Sequence, residues 1–508
     1  MCVRRALVVG AMLAAGPALA DEPLSAIDWL SRSVREPAVA APGAGPEVTP
    51  ALPEEVATTP LGELRLDAVG IVPPRVSGLP ADLWGATPVD ELVRLVAEAR
   101  ADAPPAALEL LKMLLVAEAD PPADANGDGR LLMARLDKLL TLGALDEAQA
   151  LIEIAGPTQP ELFRRWFDIS LLTGLEDRAC AAMRAAPGIA PTIHARIFCL
   201  ARGGDWSAAA LTLETGRALG FLSPAEDELL ARFLEPELAD GAEPLPPPEH
   251  VTPLVYRLYE AIGEPLPTSH LPLAFAHLDL RQIAGWKARI EAAERLARTG
   301  AIPAGRLIEI YTERQPPASG GIWDRVAAVQ KFDLALLSGD PEAVARFLPD
   351  AWANMRRAGL EVPFARAYGE RLARIALPEA VRRVALRVVL LSASYDRGTA
   401  AATPTTPREA LWLGVARGDT TGIAAETALG REIARVFAHP HAPSRLEAMA
   451  RDGRLGEAIL RALALVSAAR PPDPADAAEG LALLRAVGLE DHARRLALEL
   501  LILDAEAP

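Results

Sequence analysis

Three sets of residues in this chain have a spacing that suits chemistry. Asp124, Asn126 and Asp128, followed by Gly129, place oxygen ligands at positions 1, 3 and 5 of a loop with glycine at position 6. A calcium loop wraps a hard cation in this way. The glutamate that should close such a loop at position 12 is absent, and Arg135 stands there instead. The competing reading is a polar loop between helices, capped by Asp128. His439 and His441 flank Pro440 and bring two imidazoles close together, but no other His or Cys lies near in sequence. Zinc takes three or four ligands, so a loop with surface histidines is expected there. Cys180 and Cys199 form the third set. They lie 7 residues before and 8 residues after the loop at 187–191, so a helical hairpin turning on that loop brings them level. In an oxidising compartment this favours a disulfide. Closing a loop of roughly 20 residues contributes about 3 kcal/mol in the chain-entropy account. Two buried thiols are the alternative. With no Cys-x-x-Cys spacing, a redox-active pair is not expected.

The chain contains no Gly-x-Ser-x-Gly, no His-Glu-x-x-His, no phosphate loop and no dinucleotide fingerprint. Each of these supplies a nucleophile, a metal site or a phosphate cradle. A protein without catalytic residues, cofactor or resident metal is therefore expected.

The elements that position these residues announce themselves through a recurring turn. Gly143, Gly174, Gly204, Gly453 and Gly488 are each followed five residues later by alanine: Ala148, Ala179, Ala209, Ala458 and Ala493. An apolar helical run precedes and follows each copy. Glycine supplies a left-handed turn, and the small residue lets two helices approach. Neighbouring copies lie 31, 30 and 35 residues apart, a helical-repeat period. The expected fold is all-α, a right-handed solenoid of antiparallel helical hairpins.

The turn pattern resembles the tetratricopeptide repeat family, over residues 131–220 and 440–500. Gly204-Asp205-Trp206-Ser207-Ala208-Ala209 is the nearest local match. The family's aromatic residues at fixed places in the first helix are mostly missing. The resemblance implies a superhelix with a concave binding surface and, usually, no chemistry of its own.

Residues 1–20 read as an export signal: Arg4 and Arg5, an apolar stretch over 6–15, and the small-residue site Ala18-Leu19-Ala20. The apolar stretch is too short to span a bilayer, and no other charge-free apolar run reaches membrane length. No integral membrane segment is expected after cleavage. The 48 Arg against four Lys reflect a GC-rich bacterial coding bias, so the expected address is the periplasm. The chain carries a net charge of −16, and loss of Arg4 and Arg5 makes it more acidic still. Such a surface repels nucleic acid and anionic lipid head groups.

Residues 21–36 form a short amphipathic helix with Ile27, Leu30 and Val34 on one face and Trp29 off it. It suits helix-in-groove docking, onto a partner or back onto the array. Residues 37–60 are a Pro/Ala-rich disordered tether, and 61–80 an extended arm or strand, from the alternation of Leu64, Leu66, Ala68 and Gly70. A first helical segment covers 81–234. The proline-rich stretch 235–253 reads as a hinge or domain boundary. A second helical segment covers 254–508. Within it, Arg366, Arg371, Arg374, Arg382, Arg383 and Arg387 make a locally basic stretch. These are solvated arginines on core-facing helices, or a dock for an acidic partner or for the protein's own acids. Together these features point to an exported, non-enzymatic scaffold or adaptor that binds a protein or peptide of the cell envelope. The alternative is an activator or enzyme of cell-wall metabolism.

Overall fold

The computed structural model describes Trp29 and residues 65–239, 241–438 and 444–503. Among these residues the chain is all-helical, with one isolated parallel bridge between Val72 and Ala117 and no strand. The first helices are α1 (Pro74–Ser77), α2 (Val89–Glu98), α3 (Pro105–Val116), α4 (Arg130–Thr141) and α5 (Leu145–Ala155). Next come α6 (Pro160–Thr173), α7 (Glu176–Ala185), α8 (Ile193–Arg202), α9 (Trp206–Ala218) and α10 (Pro224–Leu234). Beyond the proline-rich stretch lie α11 (Pro253–Ala261), α12 (Ala276–Asp279), α13 (Trp286–Arg298), α14 (Ala304–Thr312), α15 (Ile322–Ser338), α16 (Pro341–Arg357), α17 (Glu361–Leu372) and α18 (Glu379–Leu390). The chain continues with α19 (Pro407–Arg417), α20 (Ala428–Ala438), α21 (Arg445–Arg451), α22 (Leu455–Ser467), α23 (Pro474–Ala486) and α24 (Glu490–Leu503).

Local chemistry sets the helix ends. Proline occupies the first turn of α3, α6, α10, α11, α16, α19 and α23, where its missing N–H costs nothing. Thr192, Asp205, Ser223, Thr252 and Thr406 accept a first-turn N–H and cap their helices. The five recurring glycines all turn with positive φ, at 73°, 78°, 83°, 77° and 85° in chain order. The five alanines that follow them are each 0% exposed. A larger side chain at any of them would overpack the paired helices.

One apolar cluster runs from Leu66 to Ile502. It continues on both sides of the stretch at 235–253, which is bonded to its neighbours. Arg232 donates to the Glu243 carbonyl (2.9 Å), the Tyr259 hydroxyl to the Pro246 carbonyl (2.7 Å), and the Leu245 N–H to Glu264 (2.8 Å).

The strand considered for the arm at 61–80 is not formed. Residues 61–64 lie outside the described residues. Leu66–Ala68 make a 3-10 turn that buries both Leu66 and Asp67, and only Val72 reaches a bridge. An all-helical neighbourhood offers no partner strand. The arm instead lies against α3 and α4, where the Leu132 N–H donates to Asp67 (2.9 Å).

A stack in which each helical pair touches only its sequence neighbours leaves its ends apart. Here the ends meet. The Gly456 N–H donates to the Leu83 carbonyl (2.8 Å) and the Ala86 N–H to the Gly453 carbonyl (3.0 Å). Trp84, fully buried, fills the seam. Glu91 on α2 pairs with Arg461 on α22, and Glu109 on α3 with Arg495 on α24 (2.7 Å). The middle helices join the same assembly. His277 bonds the Gly143 carbonyl (2.7 Å), Thr299 the Leu142 carbonyl (3.1 Å), and Arg366 on α17 reaches Glu109 (2.6 Å).

Candidate functional site

The proposed calcium loop uses its oxygens internally. Asp124 accepts the Val89 N–H with both carboxylate oxygens (3.0 and 3.3 Å) and so caps α2. Asn126 accepts the Asp128 N–H (3.2 Å), and Asp128 the Arg130 N–H (3.1 Å). Arg135, where a calcium loop needs glutamate, points into the core. It donates to the carbonyls of Leu115 (2.7 Å), Val69 (2.8 Å) and Ala117 (2.9 Å). Among the described residues no group of three or more His, Cys, Asp or Glu is placed to hold a metal ion. His439 and His441 lie outside the described residues.

The locally basic stretch turns on the protein's own acids. Arg366 pairs with Glu109, Arg374 with Glu370, and Arg382 with Glu409 (2.9 Å). Arg387 stacks over the Trp412 ring, 5.7 Å from its centroid.

Cys180 on α7 and Cys199 on α8 come together with their sulfurs at disulfide distance and their Cα atoms 4.9 Å apart. Both are buried. The bridge fixes α7 against α8 and holds the intervening loop, and that loop forms one wall of an open groove of about 730 Å³. Pro187, Ile193, Leu211, Thr215 and Phe221 line it, with Arg196 at its edge. Leu211 is 69% exposed, and Leu219 and Trp206 nearby on the chain are 59% and 51% exposed. Of these three, Leu211 lines the groove. Spacing on α9 places Leu211 outward: Ala209, Leu213 and Gly216 form the buried face and Leu211 falls opposite it, whereas Trp206 starts the helix on the buried stripe and faces Phe233, 6.4 Å away between ring centroids. An apolar residue off the buried stripe, Leu211, is the readable signal of this groove.

Trp29 rests on the protein's own core. Its ring meets Phe275 edge-on at 5.5 Å between centroids, and Phe275 in turn meets Tyr256 at 6.2 Å. Of the amphipathic segment, the described residues include Trp29 alone. Ile27, Leu30 and Val34, the other expected contacts, lie outside the described residues.

One buried acid titrates in the neutral range. Glu499 on α24 accepts the Ala106 N–H at the start of α3 (2.7 Å). Burial pushes its carboxyl up to about 7, against the lowering effect of the Ala106 N–H and the charges of Arg366 and Arg495. Its folded-state pKa lies above the ordinary 4.5. The cost of ionising it is therefore absent below pH 4.5, grows between 4.5 and 7, and is complete above. At about 1.4 kcal/mol per unit this amounts to about 3 kcal/mol. Glu499→Gln is expected to raise the Tm at pH 7.5 and leave it unchanged at pH 4.5. Thermal unfolding at the two pH values checks this, and an equal effect at both would refute it.

No known family model matches this chain, and neither the curated proteins nor the solved structures include one significantly similar to it. Among the described residues no helix is long and apolar enough to cross a membrane.

Proposed function

We propose that the chain is an exported, non-enzymatic helical-repeat scaffold that binds a protein or peptide partner of the cell envelope in the groove beside the disulfide. The observation that carries this reading is the groove itself: about 730 Å³, open, and rimmed by Leu211 and Phe221. The export signal and the disulfide pair argue for an oxidising compartment. The five glycine-turn pairs are read as antiparallel hairpins of a repeat array closed end to end, which gives the groove a rigid frame. A preformed groove loses little entropy on binding. The matching ligand is a peptide segment with two or three apolar side chains and an acidic neighbour for Arg196.

Leu211→Asp combined with Phe221→Asp tests the reading. Both side chains are partly or largely exposed, so the Tm should stay within about 2 °C, while partner capture after crosslinking in living cells falls by about tenfold or more. Deleting residues 21–60 should leave capture intact. A partner retained by the groove variant but lost on deletion would move binding to the N-terminal segment. No partner at all would revive the cell-wall enzyme reading.

A further inference from the structure

A small recess lies where α3 meets the middle helices, and it shares no residue with the partner groove. It holds about 20 Å³, room for one water or one monatomic ion. Glu109 and Lys112 from α3, Thr299 and Gly300 from the turn between α13 and α14, and Val362 and Arg366 from α17 are among its walls.

Two cationic nitrogens converge there. Gly300 turns with a φ of 65°, and a Cβ on it would lie 3.1 Å from Lys112 Nζ and 3.7 Å from Arg366 Nη1. The Lys112 ammonium is partly buried and has three N–H donors, of which the Gly300 carbonyl accepts one. Glu109, the carboxylate of the recess, turns its two oxygens to Arg366 (2.6 Å) and Arg495 (2.7 Å) rather than to Lys112. Arg366 uses Nη2 for that pair, and its Nη1 is the nitrogen beside Gly300. Burial pushes the Lys112 ammonium below its ordinary value, and the like charge of Arg366 adds to this against the pull of Glu147 and Glu109. Arg495 is balanced by a second pair with Asp491 (2.8 Å). Lys112 and Arg366 then share one carboxylate, and the lining carries one excess positive charge. Glu147 and Glu499 lie outside that lining.

An ammonium with donors to spare, a guanidinium nitrogen at the same point and space for one atom together call for a charged acceptor. A water would take the N–H bonds without answering the excess charge. We propose that the recess binds one small monovalent anion, of the size of chloride, between Lys112 and Arg366 and over Gly300. The anion ties α3 to the turn after α13 and to α17, so it joins the start of the chain to its middle. The proposal is independent of the partner groove.

Chloride and its heavier analogue bromide are the probes. In solution, raising chloride from about 10 to about 300 mM against gluconate, at constant ionic strength, should raise the Tm of the full chain by about 2 °C. Lys112→Met should remove this dependence. Arg366→Gln, at a partly exposed side chain, should do the same and serves if the lysine variant does not fold. Gly300→Ala should also remove it by placing a methyl at the meeting point. Gly339→Ala, with a matching φ of 70° and nothing within 4 Å of its added Cβ, should keep it. Crystals of the full chain soaked in sodium bromide should show an anomalous peak between Lys112 and Arg366. The proposal fails if chloride leaves the parent Tm unchanged, or if the Lys112 and Arg366 variants respond as the parent does. Density without an anomalous signal would make the occupant a water and overturn the anion. A bromide peak with no chloride dependence of the Tm would mean an adventitious ion only, and the proposal would fall.

Discussion

Arg135→Ala is expected to destabilise the protein by about 3–5 kcal/mol, the sum of a large core truncation and of stranded carbonyls. Arg135 is fully buried, and its guanidinium is the shared partner of the Val69, Leu115 and Ala117 carbonyls. It therefore joins the arm, the end of α3 and α4. Removing it leaves those three acceptors facing a cavity. Lysine cannot replace it, because a single ammonium lacks the planar fork that reaches three directions. Arg130, five residues earlier, serves as the control. Its side chain is 48% exposed and pairs with Asp90 at the surface, so Arg130→Ala should change stability by less than about 1 kcal/mol. Urea unfolding of the two variants checks the contrast. Hydrogen exchange should also show residues 65–72 losing protection in the Arg135 variant, and a change below about 1 kcal/mol would refute the role assigned to this side chain.

The seam between the chain's two ends is the site of the second large effect. Trp84→Ala should cost about 3–5 kcal/mol, because the ring is fully buried and fills the space beside α22. Gly456→Val tests the same seam from the other side. A Cβ at Gly456 would sit 2.6 Å from the Trp84 ring and 2.9 Å from the Leu83 carbonyl. The Gly85 position is as closed, since a Cβ there would lie 2.0 Å from the Gly453 carbonyl. Both variants should release protection at residues 83–86 and 453–456 together, in hydrogen exchange followed by mass spectrometry. Trp206→Ala, at a half-exposed ring on α9, should stay within about 1 kcal/mol. If one end of the seam lost protection while the other kept it, the two ends would not be coupled as the geometry requires.

These two effects also mark where the sequence was legible and where it was not. The five glycine turns could be read because each is a local event. A left-handed glycine and a small residue five positions on identify a helix–turn–helix without knowledge of anything distant. The cysteine pair was legible for the same reason, since one loop separates the two helices that carry it. The seam joins residues about 370 positions apart, and no local periodicity encodes that pairing. Its only traces are an extra glycine, Gly456, just after a helix start, and a tryptophan, Trp84, outside any helical run. Arg135 breaks the pattern of a cation loop, and a lone arginine within an apolar run also signals a buried fork that must find carbonyls. Period-two alternation in the arm does not produce a strand. A 3-10 turn buries neighbouring residues such as Leu66 and Asp67 together, and no second strand exists among the described residues to complete a ladder. The groove was legible only in part. The buried stripe of α9 is clear, but what the outward Leu211 meets depends on a loop fixed by a bridge to another helix.

The central claim is that the groove beside the disulfide is where a partner binds. Site-specific photo-crosslinking in living cells tests it most directly, with the reactive side chain placed at Leu211 and, as control, at Leu334, which is 65% exposed on α15. The account predicts a discrete adduct from position 211 that disappears with Phe221→Asp, and none from position 334. No adduct at 211, or the same adducts from both positions, would contradict it.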